Sequence, residues 1–440
     1  MMKVPNSQDQ IGNATTSWKQ AEEASPIAPA HPASQGRRRG QGRSSFDCVA
    51  LLLQGGGALG AYQAGVYEAL AEANLHPDRV VGISIGAINA AIIAGNAREN
   101  RAAKLREFWE NLARSPFDLG RGFDPLLKIP GIRDLSNTMS SAAAALLGVP
   151  GFYAPRLPNI WDAMPGTLGA THIYDTRALK AMLEHLVDFD LINSTKNDVR
   201  LSLGSVNVRT GKLTYFDVTA DVIRPEHVMA SGALPAAFPP IEIDGEHYWD
   251  GGIISNTPLA SLVHKDVPDT LALQVDLWVA PGDLPGSLPE VLTRMKEIAN
   301  SNRTSYFTNL FSSIIKTNST LARFLDGLPE ELKRGADAEY LQSVARPRLH
   351  HIVNLIYRPE HGVEGASKEI EFSRTSMQYR WRAGYADTKE ALKHPEVLER
   401  SPDSNSGIFV FDFGAGGDQV RGARNDVRRW QAHLRGLANE

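Results

Sequence analysis

Cysteine and excess charge are both scarce in this sequence of 440 residues. The single cysteine, Cys48, cannot form an internal disulfide, and it lies in an apolar run where cysteine usually behaves as a small buried hydrophobic residue. This usage fits a reducing compartment, so we expect a cytoplasmic protein. Lys and Arg together number 46 and Asp and Glu 50, giving a net charge of −4. Such a balance provides no field that would hold nucleic acid, and we expect no nucleic-acid partner.

Long hydrophobic runs are missing as well. A membrane-spanning helix needs roughly 18 apolar residues, and the longest comparable stretch, 142–149, is much shorter. The polar residues 1–45 also lack the apolar segment of an export signal. No cluster of His, Cys and carboxylates has metal-ligand spacing, and His350 and His351 would point to opposite faces of a strand. The sequence therefore predicts neither a membrane span nor a metal or other cofactor.

The first 45 residues are predicted to form a disordered tail, because they show no hydrophobic period and contain several prolines and the run Gly36-Arg37-Arg38-Arg39-Gly40. The tail contains six basic and three acidic residues, so it could make peripheral contact with anionic lipid headgroups of a membrane surface. The alternative is a solvated leader without a partner.

From residue 46 the sequence indicates an α/β fold. Residues 46–53 read as a strand buried on both faces, and a helix with apolar positions at helical spacing follows from Ala61. A second strand, 79–83, leads into a helix of small residues, 85–95. Strand, helix, strand and helix in so short a space predict a right-handed parallel crossover unit.

The rest of the chain alternates between regular and irregular segments. Residues 115–170 are predicted to be an irregular insertion. The apolar residues 141–153 within it could form a cover over a functional site, and the alternative is an ordinary buried loop. A module boundary is expected at 281–289. Further helices are predicted at 98–112, 176–187, 289–317 and 374–391, and further strands at 199–208, 212–217, 269–279 and 350–357.

A glycine-rich turn follows the first strand directly, with Gly55, Gly56, Gly57 and Gly60 opening a helix. Glycines let the backbone approach a ligand closely, and the helix N-terminus offers free N–H groups, so this turn predicts a site for negative charge. The same residues match the glycine pattern of a dinucleotide-binding motif, which leaves a non-catalytic nucleotide-binding module as an alternative. That fingerprint requires an acid at the far end of the second strand, whereas Asp78 precedes the strand.

The segment Gly82-Ile83-Ser84-Ile85-Gly86 has the pattern of a nucleophile elbow, a tight strand-to-helix turn that exposes a serine hydroxyl. Glycines two residues away on either side relieve the contact between strand and helix. Ser84 is thereby a candidate nucleophile, and the alternative role, an N-cap for the following helix, is compatible with it.

The segment Asp250-Gly251-Gly252 supplies a carboxylate followed by small residues. A serine is a poor nucleophile until a positioned base takes its proton, and Asp250 is the candidate base. A turn aspartate that holds its own backbone is the alternative for a bare Asp-Gly pair. An α/β-hydrolase triad is a rival arrangement, for which the downstream histidines are His264, His350, His351, His361 and His394.

Together these blocks resemble the patatin-like phospholipase family of lipid acyl hydrolases, over residues 46 to about 260. Residues 230–240, Ala-Ser-Gly-Ala-Leu-Pro-Ala-Ala-Phe-Pro-Pro, also look like the family. The family usually carries Arg or Lys where this chain has Leu59, which leaves a lipid-binding scaffold with a decayed site as a further alternative. Residues after 281 resemble a module of some bacterial members, on Ser373-Arg374-Thr375-Ser376-Met377 and Arg380-Trp381.

The resemblance implies a three-layer α/β sandwich with a mainly parallel central sheet and a mostly helical C-terminal extension. It implies a catalytic domain at 46–285, with the insertion at 115–170, and a C-terminal module at 286–440. It also implies that Ser84 attacks an ester carbonyl of a lipid, that Asp250 accepts its proton, and that N–H groups of Gly55, Gly56 and Gly57 form the oxyanion hole. The remaining motif glycines, in supporting roles, are Gly60, Gly82, Gly86, Gly251 and Gly252.

Overall fold

The structure is a computed structural model that describes residues 44–114, 130–157, 163–262, 268–345, 348–360, 363–365, 367–400, 407–414 and 419–421. The predicted tail, 1–45, lies outside the described residues except for its last two positions. The described residues belong to one compact unit, Gly40–Glu440.

Twelve strands and eleven α-helices are found in the described part of the chain. The strands are β1 Cys48–Leu53, β2 Arg79–Ile83, β3 Ala154–Pro155, β4 Tyr174–Asp175, β5 Arg200–Asn207, β6 Leu213–Asp217, β7 Ile241–Ile243, β8 Glu246–Asp250, β9 Thr270–Asp276, β10 Leu349–Ile356, β11 Gly407–Phe413 and β12 Gln419–Arg421. The helices are α1 Ala61–Glu72, α2 Ile85–Ala94, α3 Arg98–Leu112, α4 Pro130–Leu147, α5 Arg177–Leu186, α6 Phe189–Ile192, α7 Pro225–Ser231, α8 Leu288–Asp326, α9 Ala336–Val344, α10 Arg374–Ala391 and α11 Pro395–Leu398.

Ten of these strands form one sheet in the order β12-β11-β10-β9-β1-β2-β5-β8-β7, with β6 also paired to β5. The six strands from β11 to β5 run parallel, and β6, β7, β8 and β12 are antiparallel additions. The central strand β1 is buried along almost its whole length, as its uninterrupted apolar sequence predicts for a parallel strand covered on both faces.

Side chains of β1 alternate between two apolar layers. Leu51 and Leu53 join the larger core under helices α1, α2 and α3, whereas Leu52 joins a second core with Phe311 of α8 on the opposite face. The predicted three-layer α/β architecture with a mainly parallel sheet is therefore confirmed.

The C-terminal third of the chain is mostly helical, as expected, but it also extends the central sheet. β10 pairs in parallel with β9, and β11 pairs in parallel with β10. The sequence predicts β10, as the strand at 350–357, whereas β11 and β12 have no predicted counterpart. The boundary at residues 281–289 stays a prediction about domains, and it coincides with no break in the sheet.

Helix α10 lies close against α1 because each helix has a glycine at the contact. A Cβ added at Gly65 would lie 1.9 Å from the carbonyl oxygen of Trp381, and one added at Gly384 would lie 2.0 Å from that of Tyr62. Trp381 also donates a hydrogen bond of 2.6 Å from its indole to Glu68 of α1. The C-terminal segment is thus joined to the helix that follows the glycine-rich turn.

The expectation that residues 115–170 are irregular is wrong for a large part of the segment. Helix α4 occupies 18 of these residues, Pro130–Leu147. A proline at the first helical position and the run of alanines at 142–145 favour this helix, although the flanking glycines and prolines indicate an irregular segment. No described helix combines the length and the apolar character needed to cross a bilayer.

Candidate active site

Ser84 stands at the turn between β2 and α2. Its backbone has φ of 57°, a left-handed conformation that is strained for a non-glycine residue. The turn is tight, because a Cβ on Gly82 would lie 2.3 Å from the Gly86 carbonyl oxygen and a Cβ on Gly86 would lie 2.3 Å from that of Leu53. Ser84 occupies the N-cap position of α2, but its side chain makes no capping hydrogen bond. Its hydroxyl is thereby left to act elsewhere.

Strand β5 brings Asp250 to this turn. The last residue of β2, Ile83, pairs with Gly204, and the last residue of β8, Asp250, pairs with the next residue, Ser205. β6 occupies the other edge of β5 over the same residues, so β2 and β8 follow each other along one edge. Their carboxyl ends therefore meet, and residues 166 positions apart in the sequence come face to face.

The Ser84 hydroxyl donates a hydrogen bond of 2.6 Å to Oδ2 of Asp250. The other carboxylate oxygen, Oδ1, accepts the backbone N–H of Gly252 at 2.7 Å. Asp250 therefore both stabilises its own turn and contacts the serine. Burial raises the pKa of Asp250 from 3.8 to about 6, although the hydrogen bonds from Ser84 and Gly252 act to lower it.

Ser231, at the end of α7, fixes the backbone of the elbow. The N–H of Ser84 donates to both the carbonyl oxygen and the hydroxyl oxygen of Ser231, each at 3.1 Å. The Ser231 hydroxyl in turn donates to the carbonyl of Gly204 at 2.6 Å. This residue belongs to the block 230–240 that carries part of the family resemblance, but no spacing in the sequence assigned it a role.

The glycine-rich turn lies beside Ser84 and is held by Asn256. The Gly55 N–H donates to Oδ1 of Asn256 at 2.8 Å, and Nδ2 of Asn256 donates to the Gly55 carbonyl at 2.8 Å. The indole of Trp278 donates to the same carbonyl at 2.9 Å. The N–H of Gly55, expected to help form an oxyanion hole, is thus already bonded to a side chain, while the N–H groups of Gly56 and Gly57 have no acceptor among the described residues.

Gly57 has φ of 55°, and a Cβ there would lie 2.2 Å from the backbone oxygen of Glu369. Any other residue would be strained and would also collide with the C-terminal segment. Leu59, which stands where the family usually has a cation, is fully buried in the apolar core and does not line the cavity described below. Its side chain therefore makes no direct electrostatic contribution to the site.

Gln54 anchors the turn from behind. Its Nε2 donates to Oδ1 of Asp276 at 2.9 Å, and its Oε1 accepts the N–H of Leu277 at 3.0 Å. Burial raises the pKa of Asp276 to about 8, with repulsion from Asp412 adding to the effect. This polar cluster fixes the end of β1 from which the turn departs, and it lies outside the cavity lining.

A cavity of about 320 Å³ opens above the serine. Its lining is mainly apolar and aromatic, and it includes Phe152, Tyr153, Tyr174, Phe238 and Phe372. The two aromatic residues from the expected cover, Phe152 and Tyr153, are buried and pack against Phe238 with ring centroids 5.9 and 5.3 Å apart. Part of the segment 141–153 therefore forms a wall of the cavity.

The long helix α8 also contributes to the cavity. Lys296 and Asn300 line it, and the Lys296 ammonium pairs with Glu369, another lining residue. Arg303 donates a hydrogen bond of 3.1 Å to the carbonyl of Gly252, beside Asp250. No sequence motif in α8 predicts these C-terminal contributions to the site.

The described histidines do not reach the site. His350 contacts Phe311 in the layer of α8, and His351 contacts Phe46 on the other face of the sheet, so they point apart as predicted. No histidine is found in the cavity lining among the described residues, and His264 and His361 lie outside them. Within the described part of the chain, no group of three or more potential metal ligands is found. Asp78, the acidic residue that precedes the second strand, accepts a hydrogen bond from the Val49 N–H near the start of β1. It does not line the cavity beside the glycine-rich turn.

Comparison with known proteins gives two family matches. A model described as patatin-like phospholipase matches residues 51–263, and one described as patatin phospholipase matches residues 298–404. No curated protein matches the chain.

Solved structures were compared as well. VipD from Legionella pneumophila is 15% identical, with 90% of this chain and 76% of that chain covered and a TM-score of 0.36. The type III effector protein ExoU is 14% identical, with 79% and 53% covered and a TM-score of 0.30. Full-length ExoU in complex with full-length SpcU, from Pseudomonas aeruginosa, is 14% identical, with 81% and 76% covered and a TM-score of 0.24.

The two family matches cover both the glycine, serine and aspartate blocks and most of the segment after residue 298. Both descriptions name the same kind of enzyme. The chain therefore belongs to the patatin-like phospholipase family, whose members are lipid acyl hydrolases.

Proposed function

We propose that this protein cleaves carboxylic ester bonds of lipids with a dyad of Ser84 and Asp250. The observation that carries the proposal is the hydrogen bond of 2.6 Å between the serine hydroxyl and a buried carboxylate at the base of an apolar cavity. A carboxylate in this position can take the hydroxyl proton directly, so no histidine is required.

In the first step Asp250 accepts the proton of the Ser84 hydroxyl, and the serine oxygen forms a bond to the ester carbonyl carbon. The carbonyl oxygen becomes negatively charged. When the tetrahedral intermediate collapses, the bond to the leaving alkoxide breaks, and that oxygen receives the proton held by Asp250. An acyl group then remains on Ser84 as an ester, and the alcohol product departs.

In the second step a water molecule replaces the alcohol. Asp250 accepts one proton from the water, the water oxygen attacks the acyl carbon, and the collapse of the second tetrahedral intermediate returns the proton to the serine oxygen. The fatty acid is released, and both side chains regain their starting protonation. These proton transfers need only the two side chains and water.

We assign the oxyanion hole to the N–H groups of Gly56 and Gly57. Both lack a protein acceptor in the described structure, and the turn lies beside Ser84, since a Cβ on Gly55 would be 2.8 Å from the serine Cβ. A preorganised donor of this kind stabilises the transition state by about 3 kcal/mol. Gly55, whose N–H is bonded to Asn256, then has the role of fixing the turn.

The experiment compares Ser84→Ala and Asp250→Asn with the wild type, using a soluble p-nitrophenyl ester and a phospholipid dispersed in detergent. Each variant is expected to lower kcat/KM by at least ~10³-fold. Ser202→Ala and Asp217→Asn serve as matched controls, because both residues are buried and bonded to each other away from the cavity. Wild-type rates in either dyad variant would end the proposal.

A further inference from the structure

The two faces of helix α4 are inverted relative to an ordinary surface helix. Its buried positions are mostly polar: Asn137, Ser140, Ser141 and Ala144. Its exposed positions are mostly apolar, and the large ones are Ile132, Leu135, Met139, Leu146 and Leu147. A helix packed on a globular core normally buries its apolar stripe, so this orientation leaves an apolar stripe with no partner among the described residues.

Hydrogen bonds on the polar side fix this orientation. Nδ2 of Asn137 donates to the carbonyl of Val363 at 3.1 Å, and Nε of Arg133 donates to the same oxygen at 3.0 Å. At the other end of the helix, the hydroxyl of Tyr174 donates to the carbonyl of Ala145 at 2.6 Å. The outward position of the leucines is therefore held by specific contacts.

The first three turns of α8 repeat the pattern. Their exposed apolar residues are Leu288, Val291, Leu292, Met295 and Ile298. At 100° per residue this stripe lies on the side of the helix opposite Ser301, Thr304 and Phe311, which are buried farther along. The outward side of α8 is thus apolar where the helix passes the active-site cavity.

Both helices that carry the stripes also reach the cavity. Ala145 of α4 and Lys296 of α8 line the same cavity as Ser84. Two further lining residues, Leu234 and Ile253, are exposed apolar side chains at its rim. The two stripes thus lie on helices that line the cavity, and the rim of the cavity is itself partly apolar.

We propose that the two apolar stripes, which we call the α4/α8 surface, dock the protein on the surface of a lipid bilayer or micelle. The proposal rests on the function proposed above, since a lipid ester has to pass from its aggregate into the cavity. Among the exposed residues of α4 from 132 to 147, Asp134 is the only charged one, so the stripe enters the headgroup region without desolvating a row of charges. Over residues 288–298 of α8 the exposed charged residues are Glu290 and Lys296, and Lys296 is already paired with Glu369. A surface with so few free charges matches lipid better than a highly charged protein partner.

The experiment measures sedimentation of the full chain with phosphatidylcholine vesicles, with and without added phosphatidylserine. The tested variant is Leu135→Glu/Leu146→Glu, because both leucines are exposed, at 62% and 74%, and neither lines the cavity. The control is Leu332→Glu, which makes the same kind of substitution once, at a leucine that is 63% exposed in the turn after α8. For the vesicle measurement the wild type, the double variant and the control each also carry Ser84→Ala, so that binding is measured without hydrolysis. The ester assay uses the same three proteins with Ser84 intact.

The double variant is expected to lose at least ~10-fold in vesicle binding, and the control to bind as the wild type does. Hydrolysis of a monomeric soluble ester should be the same in all three, which separates docking from chemistry. If the double variant binds vesicles as the wild type does, the docking proposal is wrong while the dyad stands. If the wild type does not bind vesicles but forms a dimer that the double variant does not form, the docking proposal is wrong and the surface binds a second copy of the chain. If no ester is cleaved by the wild type, the proposed function fails whatever the vesicles show.

Discussion

Asn256 and Gly55 are joined by two hydrogen bonds of 2.8 Å, one from the Gly55 N–H to the side-chain oxygen and one from the side-chain amide to the Gly55 carbonyl. This pair of bonds fixes one peptide unit immediately before the two N–H groups proposed to receive the oxyanion. Asn256 itself lies in the segment that follows the aspartate motif, so it links the glycine turn to the strand end that carries Asp250.

Replacing Asn256 with Ala should therefore lower kcat by roughly 10- to 100-fold with little change in KM, because the donors would lose their fixed direction toward the transition state. Asn256→Asp keeps the oxygen that accepts the Gly55 N–H and loses the amide donor, so it should recover part of the rate. The measurement is a full kcat and KM determination on a soluble ester. A rise in KM at constant kcat would show that Asn256 binds substrate rather than positioning the turn.

Gly57 tests the glycine turn from its other end. Gly57→Ala should lower activity by at least ~100-fold, because the new Cβ meets the Glu369 carbonyl at 2.2 Å and shifts an N–H proposed to bind the oxyanion. Gly211→Ala is the matched control, since Gly211 has φ of 67° and open space around it. The control should lose only about 1 kcal/mol of stability and keep its activity. Equal activity in the two variants would contradict the assigned role of the turn.

The contact between α1 and α10 predicts a structural effect. Gly384→Leu should lower the free energy of unfolding by 3 kcal/mol or more, on the order of an overpacked core, since the side chain meets the backbone of Tyr62 at 2.0 Å. Ala386→Leu, at an exposed position of the same helix, is the control and should change stability by less than about 0.5 kcal/mol. Urea denaturation of the full chain measures both, and similar midpoints would show that α10 is not tightly docked.

The positions of Ser84 and Asp250 could be predicted from the sequence because each lies in a short motif that dictates its own turn. Gly82 and Gly86 make the elbow sterically possible, and Gly251 lets the end of β8 approach β5, since a Cβ there would lie 2.5 Å from the Gly204 carbonyl oxygen. The functional roles of both side chains remain proposals.

Other parts of the site could not be found in this way. Asn256 acts on a backbone group 201 residues away, and Ser231 acts on one 147 residues away. Neither contact has a local pattern, because each depends on where separate strands end in the sheet. Helix α4 is a different case: its proline start and its alanines are a local helix signal, but the glycines and prolines on either side of it indicate an irregular segment.

Activity should depend on pH through Asp250. The carboxylate must be ionised to accept the serine proton, and burial raises its pKa to about 6, so kcat/KM for a neutral ester should fall as the pH drops through about 6. An unperturbed aspartate would place this inflection near 4. Circular dichroism at each pH shows whether the protein stays folded. An inflection near 4 in folded protein would mean that the reactive carboxylate is not the buried one.

The same raised pKa predicts that Asp250→Asn stabilises the fold while abolishing activity. Folding favours the neutral form of Asp250. This preference contributes fully to the free energy of unfolding below pH 3.8, and the contribution is lost as the pH rises through about 6. The loss amounts to roughly 3 kcal/mol at neutral pH. An asparagine stays neutral, and its oxygen can accept the Gly252 N–H while its amide donates to Ser84. Urea denaturation should therefore show a gain of up to ~3 kcal/mol at pH 8, and a smaller gain at pH 5.

Asp217→Asn is the control with the opposite sign. Burial acts to raise the pKa of Asp217, but Arg200 and the hydroxyls of Ser202 and Thr219 outweigh it and lower the pKa, so folding favours the ionised form. Its replacement should destabilise the protein at pH 8, where both the folded and the unfolded wild type carry the charge. If Asp250→Asn lost stability at pH 8 as the control does, Asp250 would be a structural aspartate whose charge the fold stabilises. A gain of stability for Asp250→Asn together with a loss of stability for Asp217→Asn is the expected outcome if Asp250 is a base whose charged form the fold destabilises.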